Sequence, residues 1–279
     1  MKLRVVTVAY NSGDELLTFA TSLTRAAIAF DYELVVVNNG DSRCSFAALQ
    51  EQGARIIEPG KNLGYGQAAN LGARDFVGDW LLVVNPDVEL QPDTLANLLA
   101  AAERWPQAGA LGPMLLTPAG EIYPSARSFP RLVTGIGHAI LAEAFPNNPF
   151  TSSYRKNSDP HTEYPVDWLS GACLLLRHQA FVEVGGFDPE FFMFFEDTQL
   201  GEALAGAGWQ SVFVPSARVV HDQGKSWRDQ PAAMIAAHHH SAYQYLRRIY
   251  SAPWQAPLRG ILWLGLQLRS RLMQRFANR

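Results

Sequence analysis

Short apolar runs broken by polar, glycine-bearing stretches dominate the N-terminal part of the chain. Residues 3–9, 34–37, 55–58 and 80–84 each predict a strand. Brief runs with few polar interruptions suit strands covered on both faces, as in a parallel α/β sheet. Between them Asn11, Ser12, Gly13 and Asp14 form a turn able to cap a helix reaching about residue 28, and shorter helices are expected at 46–52 and 67–76. The alternation predicts a doubly wound, mostly parallel sheet with right-handed crossovers and flanking helices. Gly60-Lys61-Asn62-Leu63-Gly64-Tyr65-Gly66 reads as a loop whose glycines permit positive φ and close backbone approach to a ligand.

Pro92 is a favoured first helical residue, and the helix it opens is expected to reach about Arg104. Past Gly109 the character changes. Residues 112–116 and the turn Thr117-Pro118-Ala119-Gly120 predict a hairpin in a smaller antiparallel portion. Residues 147–165, rich in Pro, Asn and Ser, are expected to form a long loop. Strand character returns at 166–177, a helix over 196–207 is closed by Gly208, and a last short strand at 212–214 precedes Val219-Val220-His221. The expected organisation is one α/β unit over residues 1–230, with a nucleotide-binding half to about 110 and an acceptor half after it. A helical, basic, amphipathic tail over 231–279 follows.

The strand at 80–84 delivers a carboxylate. Pro86 has no N–H for a further ladder bond, so Asp87 falls at a strand's carboxyl end. Ligands bind at that edge of open α/β sheets, and a carboxylate there suits a hard divalent cation held against phosphate. Ala9-Tyr10-Asn11, Asn38 with its neighbours, and Asn85-Pro86-Asp87 follow three predicted parallel strands, so the fold gathers them along one edge. Taken singly, Asn11 and Asn38 read as turn residues. Glu196-Asp197 follows the apolar wall Phe191-Phe192-Met193-Phe194-Phe195, where desolvation raises a carboxylate's pKa and makes it a better base. The pair equally fits a helix start that complements the dipole. His221, at a strand end, is a candidate metal ligand beside Asp87 or a structural imidazole.

Two motifs point elsewhere. Gly64-Tyr65-Gly66-Gln67-Ala68-Ala69 fits a dinucleotide fingerprint, but it follows the third predicted strand, and an acid after Asn-Pro suits a metal better than a ribose. His238-His239-His240 cannot bind one ion from adjacent helical positions and reads as a solvated helix turn. A net charge of -3 over 279 residues argues against a general nucleic-acid binder. The basic charge is concentrated late: after Asp229 no acid occurs, while Arg247, Arg248, Arg259, Arg269, Arg271, Arg275 and Arg279 follow. Cys44 and Cys173 have no metal-ligand spacing and suit a reducing cytoplasm. The first apolar run is too brief for a signal-peptide core, and no run approaches the ~20 apolar residues of a membrane span.

Several stretches, as an ordered set, resemble the GT-A fold inverting glycosyltransferases of family 2. They are residues 6–13, Asn62-Leu63-Gly64-Tyr65-Gly66 with Asn70 and Gly72, Asn85-Pro86-Asp87-Val88, Gly185-Gly186-Phe187-Asp188, Glu196-Asp197 and His221. The Asn-Pro-Asp and Gly-Gly-Phe-Asp forms resemble the rhamnosyltransferase branch. Residues 104–113, Tyr123-Pro124-Ser125-Ala126-Arg127 and Trp168-Leu169-Ser170-Gly171 are similar to its actinobacterial members that act on polyprenyl-diphospho-N-acetylglucosamine and build the arabinogalactan linker of the cell wall.

This resemblance implies dTDP-β-L-rhamnose as donor, Mg²⁺ or Mn²⁺ as cofactor and a GlcNAc-diphospho-polyprenol acceptor. It implies Asp87 and His221 as metal ligands, Ala9, Tyr10, Asn11, Asn38, Asn62, Gly64 and Asn85 as nucleotide-sugar contacts, and Asp197 as general base. Glu196 and Trp168 fall on the acceptor side or in support, Glu196 near the acceptor or holding Asp197 and Trp168 as a stacking wall for sugar. The family usually has Asp at Asn38 and an acid at Gln199. Another nucleotide sugar or acceptor, or a silent nucleotide-sugar binder, therefore stays open. For the tail, the resemblance implies a peripheral position on the cytoplasmic face of the membrane, with Ile261-Leu262-Trp263-Leu264 and the arginines against anionic lipid. Packing on the body or in a homodimer is the alternative.

Overall fold

The computed structural model describes residues 1–40, 46–130, 161–222 and 231–277. Its centre is a ten-stranded mixed sheet. The parallel part consists of β1 (Leu3–Ala9), β2 (Tyr32–Asn38), β3 (Arg55–Ile57) and β4 (Trp80–Val84). Ala9 is in register with Asn38 and Thr7 with Val84, so three of the polar clusters emerge side by side.

Why these runs are apolar on successive residues is visible in the core. Val5, Leu34, Val36, Leu82 and Val84 face one layer, with Leu16, Phe19 and Leu23 of α1 (Glu15–Ala26) and Leu95 and Leu98 of α4 (Thr94–Arg104). Val6, Val8, Val35, Val37, Leu81 and Val83 face the other, with Ala68 and Ala69 of α3 (Tyr65–Ala73) and Leu200 and Leu204 of α6 (Glu196–Gly206). Both faces are dry, which is the parallel-sheet condition. Gly72 lets α3 lie against β1, since a Cβ there would sit 2.4 Å from Val6 Cγ1.

The second half completes the sheet in mixed sense. β11 (Cys173–Arg177) runs antiparallel between β4 and β6 (Ala108–Leu116), and β12 (Gln210–His221) runs parallel to β6. β5 (Val88–Leu90) and β9 (Tyr164–Val166) each pair antiparallel with β12. β6 returns through the expected turn to β7 (Ile122–Tyr123) as an antiparallel hairpin. The resulting order is β3-β2-β1-β4-β11-β6-β12-β5, with β7 added to β6 and β9 to β12. A separate two-stranded sheet pairs β8 (Ala126–Arg127) with β10 (Trp168–Leu169). Two short helices, α2 (Ala47–Glu51) and α5 (His178–Glu183), sit in connections. The tail forms α7 (Pro231–Ile249) and α8 (Ala256–Ala277), which pack on each other.

Several expectations need correction. Pro92 lies before the Asp93 N-cap, because the chain first closes β5 and a turn before α4 begins. α3 opens at Tyr65, not Gln67. Residues 212–214 are not a separate short strand: β12 continues to His221 across an irregularity between Val214 and Arg218, where Pro215 has no N–H to donate. Of the loop expected over 147–165, residues 147–160 lie outside the described residues, while Tyr164–Val166 forms β9. His239 is no solvated turn residue; it is buried, with Nδ1 2.7 Å from the Ile235 carbonyl. Cys44 lies outside the described residues, and the Cys173 thiol is buried, which pushes its pKa up to about 12.

Candidate active site

Because the strands are parallel and in register, their carboxyl ends form one edge. Tyr10, Asn11, Asn38, Asn39, Glu58 and Lys61 line a cavity of about 550 Å³ there. Asn11 holds φ 51, an uncommon value for a non-glycine residue. The Tyr10 ring lies on Gly40, where a Cβ would come within 2.6 Å of it. Asn38 donates from Nδ2 to both Glu58 oxygens at 3.0 Å, and its Oδ1 is buried with no hydrogen-bond partner among the described residues.

Asn39, 3% exposed, shapes the next loop. Its Nδ2 donates to Asn62 Oδ1 at 3.0 Å and the Gly64 carbonyl at 3.1 Å, while its Oδ1 accepts from the Leu63 N–H at 2.8 Å. Asn62 thus serves the loop, also accepting from the Gly64 N–H at 2.9 Å. Gly64, at φ +78, is where this loop meets the acceptor half. A Cβ there would sit 2.0 Å from the Phe192 carbonyl oxygen, which accepts from the Tyr65 N–H at 2.9 Å.

Asp87 and His221 converge. β12 pairs antiparallel with β5, placing His221 opposite Val88, and His221 Nε2 lies 3.2 Å from Asp87 Oδ1. Asn85 Nδ2 is 3.4 Å from the same nitrogen, and the Asp222 N–H donates to the Asp87 carbonyl at 3.1 Å. The Asp87 and His221 side chains are 8% and 11% exposed, and His221 Nδ1 has no partner among the described residues. No group of three metal-ligating side chains occurs among the described residues. A carboxylate oxygen and an imidazole nitrogen at this separation still fit two positions on one divalent ion, with phosphate oxygens or water for the rest.

Glu196 and Asp197 start α6 directly after Phe194 and Phe195, both in the left-handed region at φ 66 and 67. Two consecutive bulky residues there cost on the order of 1–3 kcal/mol each, and such strain clusters at functional sites. Asp197 Oδ2 accepts from the Gly171 N–H at 3.0 Å, and Oδ1 accepts from the Thr198 N–H at 2.8 Å. Burial raises the Asp197 pKa above the usual carboxylate range, against the lowering pull of those donors and of Arg127. Burial, then the charge of Asp197, pushes Glu196 up to about 8, so Glu196 keeps its proton at neutral pH. Tyr65 donates its O–H to the Gly171 carbonyl at 2.8 Å, and burial, followed at high pH by the Glu196 and Asp197 charges, raises its pKa well above the ordinary phenol value.

Trp168 differs from its expected role. Its side chain is buried, Nε1 donates to the Ser128 carbonyl at 3.0 Å, and the Arg127 guanidinium covers the ring at 5.2 Å. It props Arg127 instead of presenting a bare face to sugar. Gln199 Oε1 is buried with no partner among the described residues. Sequence reasoning did not single out Arg127, Asn39 or Glu58. The doubled Asn-Asn after β2 was a usable signal for Asn39; Arg127 and Glu58 become visible only through contacts made by distant segments.

The glycosyl transferase family 2 model matches residues 4–185. The chain is 45% identical over 289 aligned positions to the N-acetylglucosaminyl-diphospho-decaprenol L-rhamnosyltransferase of Mycobacterium tuberculosis, covering 99% of this chain and 94% of that protein. It is 27% identical to the rhamnosyltransferase WbbL of Escherichia coli, over 78% of this chain and 83% of the relative. Among solved structures, GalNAc-T7 with UDP, GalNAc and Mn²⁺ superposes with a TM-score of 0.61 at 16% identity, over 81% of this chain and 44% of that one. Staphylococcus aureus TarS 1-349 superposes with a TM-score of 0.55 at 15% identity, over 97% and 81%. These structures bear out the GT-A fold, and the family match together with the near full-length relative establishes that the chain belongs to glycosyl transferase family 2.

Proposed function

We propose that the protein is an inverting rhamnosyltransferase of cell-wall linker synthesis that moves L-rhamnose from dTDP-β-L-rhamnose to a GlcNAc-diphospho-polyprenol; its mycobacterial relative is named as the L-rhamnosyltransferase of N-acetylglucosaminyl-diphospho-decaprenol. The observation that carries the reading is 45% identity sustained over 99% of the chain. The geometry supports it: a desolvated carboxylate, Asp197, stands across the Gly64–Phe192 contact from the strand-end edge.

In this reading Asp197 takes the proton from an acceptor hydroxyl as that oxygen attacks C1 from the face opposite the dTDP leaving group. One displacement inverts the anomeric centre, so no second carboxyl is required as nucleophile. Its raised pKa brings it nearer the working pH, while the Gly171 and Thr198 N–H groups fix its oxygens. Glu196, protonated, adds no second charge, and Tyr65 holds the Gly171 peptide in place. Asp87 and His221 would hold Mg²⁺ or Mn²⁺, which when bound offsets charge on the departing diphosphate. Tyr10, Asn11 and Asn38 receive the nucleoside.

The tail brings this site to a lipid surface. In α8 the exposed Ile261, Leu264, Leu268, Leu272 and Phe276 recur at three or four residues and form one outward stripe, opposite the buried Ser270. At about 100° per residue Arg269 and Arg271 fall on its two margins. No described helix is long and apolar enough to cross a membrane; the outward stripe with its arginine margins is read as lying in an anionic interface. Radiolabel transfer from dTDP-rhamnose, UDP-GlcNAc, UDP-galactose and GDP-mannose to a GlcNAc-diphospho-lipid, with and without EDTA, tests the reading. Metal-dependent transfer from dTDP-rhamnose is expected; preference for another donor, or none, would refute it.

A further inference from the structure

Glu58 lies at the end of β3, across the strand-end cavity from Tyr10, and belongs to none of the machinery assigned above. Its carboxylate faces Asn38, with Asn38 Nδ2 at 3.0 Å from each of its two oxygens. An ionised carboxylate only accepts hydrogen bonds, so the amide nitrogen must face it. The amide's orientation is thereby fixed by chemistry: the nitrogen is spent on Glu58, and Oδ1 is left buried with no partner among the described residues. A free asparagine at this position would present either a donor or an acceptor by turning over at little cost. With Glu58 in place, turning over would set two acceptors against each other and abandon a charge-assisted pair, roughly twice as strong as a neutral hydrogen bond.

We propose that Glu58 is a positioning residue for base selection: by holding the Asn38 amide it leaves only an acceptor for the nucleotide, and so favours bases that carry a proton on N3, thymine and uracil, over cytosine. This rests on the nucleotide-sugar reading above. Thymine and uracil offer N3–H to Asn38 Oδ1, whereas cytosine offers a lone pair at N3 and meets repulsion. The pair also accounts for an asparagine where the family usually has aspartate. Asn38 with Glu58 supplies one fixed acceptor, as a carboxylate would, but places the charge one side chain away.

The test is calorimetric titration of the full chain with dTDP, UDP and CDP in the presence of Mn²⁺. For wild type, dTDP and UDP are expected to bind at least about tenfold more tightly than CDP, about 1.4 kcal/mol. In Glu58→Gln the amide partner can donate or accept, Asn38 is released, and the preference should fall to about twofold or less. Glu58 is exposed, so this variant is expected to fold as wild type. In Glu58→Gln with Asn38→Asp, the introduced carboxylate accepts from the introduced amide and again offers an oxygen to the base, so the preference should return. A general loss of nucleotide affinity without a change in the ratio would overturn the proposal, as would an unchanged ratio in Glu58→Gln. Rhamnosyl transfer by a wild type with no pyrimidine preference would overturn the positioning role alone. Failure of wild type to bind any of the three nucleotides would overturn the nucleotide-sugar reading and this inference together.

Discussion

Gly64 lies where the strand-end loop meets the segment leading to Asp197, and replacing it with alanine perturbs that contact. The new Cβ would stand 2.0 Å from the Phe192 carbonyl oxygen, so the two segments must part by roughly 1 Å to reach a 3.0 Å separation. The Tyr65 N–H to Phe192 carbonyl bond, 2.9 Å long, is then lost or stretched, at about 1 kcal/mol. Alanine at φ +78 and ψ 176, a region essentially reserved for glycine, adds about 1–3 kcal/mol of backbone strain. Together these predict a loss of about 2–4 kcal/mol of stability. Gly60 is an internal control: it holds φ +74, but a Cβ there meets nothing within 4 Å, so Gly60→Ala should cost only the strain, about 1–2 kcal/mol. Urea unfolding of both variants measures the difference. A shift of about 1 Å at a catalytic segment costs about 10²-fold in rate, so Gly64→Ala should also lose turnover on that scale. Equal stability for the two variants, with Gly64→Ala turning over near wild type, would refute the claim that this contact sets the position of Asp197.

Three further outcomes are expected. Glu196 keeps its proton up to about 8 in the folded chain against an ordinary 4.5, so the folded state binds more protons across that window and wild-type stability declines as pH rises through it, by at most ~1.4 kcal/mol per unit. Glu196→Gln removes the share of the decline due to Glu196, leaving that of the raised Asp197; its stability relative to wild type should climb between about pH 5 and pH 8 in urea titrations, and parallel profiles would contradict the burial assigned to Glu196. Asp87→Ala and His221→Ala should each abolish the gain in dTDP affinity that Mn²⁺ gives wild type while leaving metal-free binding within about twofold, read by calorimetry. An undiminished Mn²⁺ effect in both would exclude the pair as ligands. Leu264→Gln with Leu268→Gln should lose flotation on phosphatidylglycerol vesicles that wild type retains; undiminished flotation would remove the outer stripe of α8 from the membrane account.

The parallel half of the sheet was legible because burial on both faces leaves a direct mark on composition. Residues 34–37 and 80–84 are apolar on successive positions, and residues 3–9 are so except at Arg4 and Thr7; successive positions are what the two core layers divide between them. Asp87 could be placed at a strand end from Pro86 alone. His221 at a strand end beside Asp87 was also an expectation of the sequence, but the means was not legible: the contact depends on β5, a three-residue strand whose pairing with β12 is set across the sheet. Trp168 was misread for a similar reason. An aromatic residue near an acceptor segment reads as a wall for sugar until Ser128 and Arg127, some 40 residues earlier, are seen to occupy it. The left-handed Phe194 and Phe195 carry no glycine to announce them, and the Asn39 hydrogen bonds join segments that only the fold brings together.

The central claim is that Asp197 removes the acceptor's proton. The most direct measurement is single-turnover transfer by Asp197→Asn beside dTDP binding by the same variant. The asparagine is nearly isosteric and keeps one acceptor oxygen, so it can accept only one of the Gly171 and Thr198 hydrogen bonds, while the fold and the donor site should survive. The account predicts a fall of about 10²–10⁴-fold in the transfer rate with dTDP affinity within about twofold of wild type. Transfer near the wild-type rate would show that the proton leaves by another group.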